Sequence, residues 1–198
     1  MKGFKYSFIF ILPLIVLISV AFSCNIFSKK PVIVEKVSDF TLFDYEGNQH
    51  SLSDYTDSTA IVIIFIATQC PVSNAYNSRM ESIFNEYSEK GIAFIGINSN
   101  KQEDVKEIAE HAEENNLTFT ILKDEKNVIA DKFAASFTPE VYILNKDFIF
   151  LYHGRIDDSR RESDVTTTDL KDALDEILAG QAVSNPETKA FGCTIKRI

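Results

Sequence analysis

Residues Ala60 to Ala67 (AIVIIFIA) form an unbroken run of β-branched, aromatic and small apolar side chains with no polar interruption. A strand with one wet face would alternate polar and apolar residues. A run without alternation predicts a strand buried on both faces, the usual state of a central strand in a parallel sheet. Such a strand needs covering layers on both sides, which restricts the chain to an α/β architecture.

The flanking segments fit that frame. Asp39 to Asp44 and Gln49 to Leu52, around a turn at Glu46-Gly47-Asn48, predict a β-hairpin. Residues 71–89 predict a helix, with Pro71 in its first turn and Met80, Ile83, Phe84 and Tyr87 as its buried stripe. Gly91 ends it, and Ile92 to Asn98 (IAFIGIN) predicts a second buried strand. An acidic amphipathic helix is expected over 102–115, with Val105, Ile108, Ala109 and Ala112 inward and Glu103 to Glu114 as its solvated face. A strand over 119–122, a short helix over 126–134 and a hairpin of 141–144 with 148–152 follow, then a helix over 169–178 stopped by Gly180. The tail, 181–198, shows no period. This order predicts one domain, residues 36–198, with a mixed central sheet, helices on both faces and an N-terminal hairpin extension.

Ahead of it, Lys2 and Lys5 precede an apolar run from Phe8 to Phe22. The run is shorter than the ~20 residues that span a bilayer comfortably. It reads as the hydrophobic region of an export signal, residues 1–23, followed by a tether over 24–35. Ala21-Phe22-Ser23-Cys24 resembles a bacterial lipobox, which implies cleavage before Cys24 and lipid on its sulfur; the other reading is an uncleaved signal anchor. Either way the body lies outside the cytoplasm, facing the periplasm in the cell envelope. Composition (45% hydrophobic, 25% charged) is that of a globular protein, and a net charge of −9 makes nucleic acid a poor partner.

Three cysteines in an exported chain leave one over. With Cys24 lipidated, Cys70 and Cys193 remain, and an oxidising compartment lets such a pair form a disulfide. Cys70 follows the buried strand and precedes the helix starting at Pro71. Reactive groups in open α/β sheets collect at the carboxyl ends of strands, and the unpaired amides at a helix start favour thiolate, the nucleophilic form. The plain alternative is a small buried hydrophobe.

The segment ATQCPVSNAY after a hydrophobic strand resembles the active-site turn of the thioredoxin-like superfamily, and DFTLFDYEGNQHSLSDY resembles its redoxin branch, the peroxiredoxins and their relatives (AhpC/TSA type). Thr138-Pro139 is similar to the family's cis-proline opposite the active cysteine. Gly154-Arg155-Ile156-Asp157-Asp158 and the ending Gly192-Cys193-Thr194-Ile195-Lys196 resemble a peroxiredoxin-like subgroup. The resemblance implies a thioredoxin fold and a thiol-dependent oxidoreductase acting through Cys70, with Thr138 and Pro139 shaping the substrate face. Its partners would be a protein disulfide or a peroxide, and an external thiol reductant.

The chain departs from the family patterns at Ser73, where thioredoxins carry a second cysteine, and at Ile64, where many carry a buried acid. Ile63 and Ala67 stand where peroxiredoxins have proline and threonine, and Pro139 stands where they have an arginine. Arg155 is the candidate substitute for holding Cys70 as thiolate; otherwise it is a surface arginine paired with Asp157 or Asp158. Cys193 is the candidate resolving thiol, or else a structural cysteine. The thirteen residues from Gly180 extend about 43–47 Å, enough for Cys193 to return to Cys70. No cofactor-binding pattern is present. The alternative function is a non-catalytic binding module or a copper-handling protein, with His153 joining the two cysteines.

Overall fold

The computed structural model describes residues 36–198, together with Met1 and Gly3. The rest of the expected leader, the tether and Cys24 lie outside the described residues. Among the described residues no helix is long and apolar enough to cross a membrane.

The sheet is built on β3 (Ala60–Ile66), all seven residues of which are buried. β4 (Ile92–Asn98) and β5 (Thr120–Lys123) extend it in parallel on one side. β7 (Glu140–Leu144) pairs antiparallel on the other side, and β8 (Phe150–Gly154) follows β7 as a hairpin. β1 (Thr41–Asp44) and β2 (Gln49–Ser51) form the N-terminal hairpin, which joins the sheet at β5. The strand order is β2-β1-β5-β4-β3-β7-β8, a mixed sheet with a parallel centre.

Period-two alternation divides β3 between two cores. Ala60, Val62, Ile64 and Ile66 pack with Met80, Ile83 and Tyr87 of α2 (Asn77–Ser88), Ile108 and Ala112 of α3 (Val105–Glu114), and Leu170, Ala173 and Leu174 of α5 (Asp169–Leu178). Ile61, Ile63 and Phe65 face the opposite core, with Ile129 and Ala130 of α4 (Val128–Lys132), Phe133 and Tyr142. Helices therefore cover both faces, as expected of a thioredoxin fold.

The expected helix over 71–89 is interrupted. α1 (Pro71–Asn74) stops and α2 restarts at Asn77, because Tyr76 turns its ring into the core and donates its hydroxyl to Asp157 at 2.9 Å. Arg79 lies over that ring, 3.8 Å from its centroid, and pairs with the same carboxylate. The tail is ordered against the body. It runs beside β8, where His153 N donates to the Pro186 carbonyl and Thr188 N to the His153 carbonyl, both at 2.9 Å. It then forms β9 (Cys193–Thr194), paired antiparallel with β6 (Phe137–Thr138).

Ile63 is fully buried at the middle of the sheet. Ile63→Ala is expected to lower stability by about 2–5 kcal/mol. Urea unfolding should show a lower midpoint at an unchanged slope.

Candidate active site

Cys70 sits where β3 hands over to α1. Pro71 takes the first helical position, where a missing N–H costs nothing. Cys70 itself is extended (φ −89°, ψ 113°), so its side chain folds back over the first turn and Sγ accepts the Ser73 amide at 3.3 Å. The same thiol donates to the Thr138 carbonyl at 3.3 Å. The residue is 3% exposed.

The turn before it is held by two carboxylates. Glu103 accepts the amides of Thr68 (2.8 Å) and Gln69 (3.2 Å) and the side-chain amides of Asn98 (2.6 Å) and Asn100 (2.8 Å). Glu107 accepts the Thr68 hydroxyl and, at 3.0 and 3.1 Å, the Gln69 side-chain amide. Glu103 was expected on a solvated face but is 1% exposed. It precedes α3, whose N-cap is Asp104, so it turns inward instead of along the helix. Its sequence signal was the polar run Asn98-Ser99-Asn100 at the end of a buried strand, where satisfied polar groups have to gather.

The facing wall is the loop through the cis peptide Thr138-Pro139. The tail closes over it: Thr138 lies opposite Cys193 and Phe137 opposite Thr194, and Ile195 N donates to the Ser136 carbonyl at 3.0 Å. Gly192 makes this approach possible, since a Cβ there would lie 2.1 Å from the Thr138 carbonyl oxygen. Beyond it Ile195 is buried, and Lys196 N donates to Asn100 Oδ1 at 2.7 Å. Below the loop, the buried carboxylate of Glu140 accepts the amides of Ser136 (2.7 Å) and Phe137 (2.8 Å), the Tyr142 hydroxyl (3.1 Å) and His153 Nε2 (2.7 Å).

Cys70 and Cys193 are both free and act on each other electrostatically in opposite senses. Burial opposes ionisation of Cys70. The Cys193 thiol, the Ser73 amide, Thr138 and the Cys193 amide outweigh it, and the Cys70 thiol lies below the ordinary range. Cys193 is raised, by burial and by the hydrogen bond and negative charge of Cys70. The pair thus divides into a thiolate-prone sulfur under the tail and a protonated sulfur beside it.

Of the expected site residues, Cys70, Thr138, Pro139 and Cys193 come together. Arg155 is not among the partners of Cys70. Its Nε donates to Asp169 at 2.8 Å and a terminal nitrogen reaches Thr167 at 3.3 Å, joining the turn after β8 to the start of α5. The favourable influences on the Cys70 thiolate are instead the neutral donors around it. His153 stacks on Tyr142 and bonds Glu140. Among the described residues no three His, Cys, Asp or Glu side chains are grouped to hold a metal ion.

Comparison with known proteins agrees with this geometry. Residues 33–159 match the AhpC/TSA family. The chain belongs to that family. This AhpC/TSA chain is 31% identical to the thioredoxin-like protein YneN of Bacillus subtilis, over 61% of its own length and 71% of the relative's. It is 23% identical to the thiol-disulfide oxidoreductase ResA of Geobacillus thermodenitrificans, over 62% and 70%. A hypothetical protein of Sinorhizobium meliloti superposes with a TM-score of 0.78 at 29% identity, covering 83% of this chain and 94% of that one. The AhpC/TSA chain is a thiol-dependent oxidoreductase.

Two pH profiles test the electrostatics. The alkylation rate of Cys70 should reach half its maximum below the ordinary thiol value of about 8.5, and Thr138→Val should move that midpoint upward. Burial works against ionised Glu140, but His153 and the Ser136 and Phe137 amides hold its carboxyl below the usual range. The stability this confers is complete above about pH 4.3, where an unfolded glutamate is ionised, and is lost as pH falls through the lower native value. Glu140→Gln should therefore show a flatter acid limb when urea midpoints are plotted against pH.

Proposed function

We propose that this chain is an exported redoxin in which Cys70 is the nucleophile and Cys193 the resolving thiol. One observation carries the reading: two free thiols, far apart in sequence, both flank Thr138, Cys70 on its carbonyl at 3.3 Å and Cys193 opposite it in the β6–β9 pair, with their proton affinities pushed in opposite directions. A nucleophile is useful as thiolate and a resolving thiol is useful with its proton on hand.

With a peroxide, the Cys70 thiolate attacks one oxygen of the O–O bond; the other leaves as alcohol or water, taking a proton. Cys70 becomes a sulfenic acid. Cys193 then displaces water from it and the Cys70–Cys193 disulfide forms. With a disulfide substrate, Cys70 takes one sulfur into a mixed disulfide and the other leaves as thiol; Cys193 attacks Cys70 and releases the second thiol. In both cases two external thiols, or one dithiol, return the two electrons and leave joined as a disulfide. Thr138 supports the thiolate with its hydroxyl, and Pro139 sets the wall against which substrate lies. Arg155 ties α5 to the turn after β8 and stays out of the chemistry.

The envelope location rests on the N-terminal residues: Lys2 and Lys5, the apolar run Phe8 to Phe22, and Ala21-Phe22-Ser23-Cys24. On this reading residues 1–23 are removed, Cys24 carries lipid, residues 24–35 tether the domain to a membrane, and the domain faces the periplasm.

Non-reducing peptide mapping after mild oxidation should recover one cross-linked peptide joining Cys70 to Cys193. Cys70→Ser should lower peroxide and disulfide turnover about a thousandfold or more. Cys193→Ser should react once and then accumulate sulfinic acid or mixed disulfide at Cys70. A Cys70 that alkylates no faster than a free thiol at neutral pH would sink the reading.

A further inference from the structure

We infer that the segment Gly192–Ile195 is a specificity device: it fills the β6 strand edge, along which a protein disulfide would align with Cys70. Gly192 is the residue that seats it. The inference rests on the reading of Cys70 as nucleophile and adds which partners reach it.

β6 pairs with β9, and the chain continues its pairing one residue further through Ile195 N and the Ser136 carbonyl. An extended peptide approaching Cys70 gains affinity and alignment by hydrogen-bonding to an open strand edge. At β6 this protein's own tail already makes those bonds. The sulfur beneath is 3% exposed, between the Ser73 amide and the Thr138 carbonyl. A large disulfide therefore has to displace the tail before its sulfur comes within reach. A small oxidant needs only a local opening.

The fit is built in. A side chain at residue 192 would strike the Thr138 carbonyl, and only glycine lets the two backbones lie this close. The tail is fixed on either side of the site, by Thr188 against Tyr152 and Arg155 before it, and by buried Ile195 and the Lys196–Asn100 contact after it. The cover is thus a tethered strand that opens and recloses. It also brings Cys193 to Cys70, so the residue that resolves the oxidised thiol belongs to the segment that screens the reduced one.

The test compares two disulfides of similar chemistry and different size, dithiobis(nitrobenzoate) and oxidised insulin chains joined by their native bridges. In each exchange the Cys70 thiolate attacks one sulfur, a Cys70 mixed disulfide forms and the other sulfur leaves as thiolate. The full-length reduced protein should react about a hundredfold faster with the small probe than with insulin, beyond the ratio shown by a free thiol. Gly192→Val, which drives a side chain into the Thr138 carbonyl, should narrow that ratio about tenfold. Ile195→Ala removes the buried anchor without a clash and should narrow it in the same direction, which keeps the test standing if Gly192→Val does not fold. Hydrogen exchange at the residue 195 amide reports whether the tail has opened in each variant. A wild-type ratio equal to that of a free thiol, or variants with an opened tail and an unchanged ratio, overturns the inference. A Cys70 inert to both probes overturns the nucleophile assignment itself, and this inference with it.

Discussion

A strand that ends inside a protein must give its last backbone amides to a partner, or leave them buried and unpaired. β3 ends in this way, between two cores, and its continuation at Thr68 and Gln69 gives those amides to the carboxylate of Glu103. The same carboxylate takes the side-chain amides of Asn98 and Asn100 at the end of β4. One buried acid thus binds the carboxyl ends of two adjacent parallel strands, and the turn carrying Cys70 is the part of the chain it holds. An unpaired buried amide costs about 1–3 kcal/mol, so the turn has little freedom to relax elsewhere. The reactive sulfur inherits its position from this contact and from Ser73, whose amide and hydroxyl bond Cys70 and Ala67.

Most of the frame was legible in the sequence because it depends on short-range pattern. β3 is recognisable from an unalternating apolar run, and α5 from its period and the glycine after it. Their observed bounds lie within a residue of the expected ones. The break between α1 and α2 was not legible, because helical spacing continues straight through it. Its cause is Asp157, which lies far along the chain and draws in both Tyr76 and Arg79. No window centred on Tyr76 contains that carboxylate.

The candidate site divides the same way. Cys70 stands out by its junction between strand and helix, and Thr138-Pro139 by its dipeptide. Glu103 was hidden in a run of acids that otherwise reads as a wet helix face; burial, which sequence shows only indirectly, separates it from its neighbours. Arg155 was a reasonable donor for the thiolate on charge alone, but Asp169 lies nearer and takes it. The proximity of Cys193 was a matter of chain reach, and reach says nothing about pairing. What brings it to Cys70 is the absence of a side chain at Gly192, together with the series of tail contacts on either side.

That arrangement has a consequence for the order in which the molecule comes into being. Chains are made from the amino end, so β3, Cys70 and α1 emerge well before the segment that screens them. Sheet pairing among β3, β4 and β5 needs only residues already synthesised, whereas the β6–β9 pair waits for Gly192 and Cys193. During that interval the Cys70 sulfur has the Ser73 amide beside it but lacks the cover of the tail. The β6–β9 pairing can form only after the strands of the main sheet have all been made, and until then Cys70 is open on the side that the tail later covers.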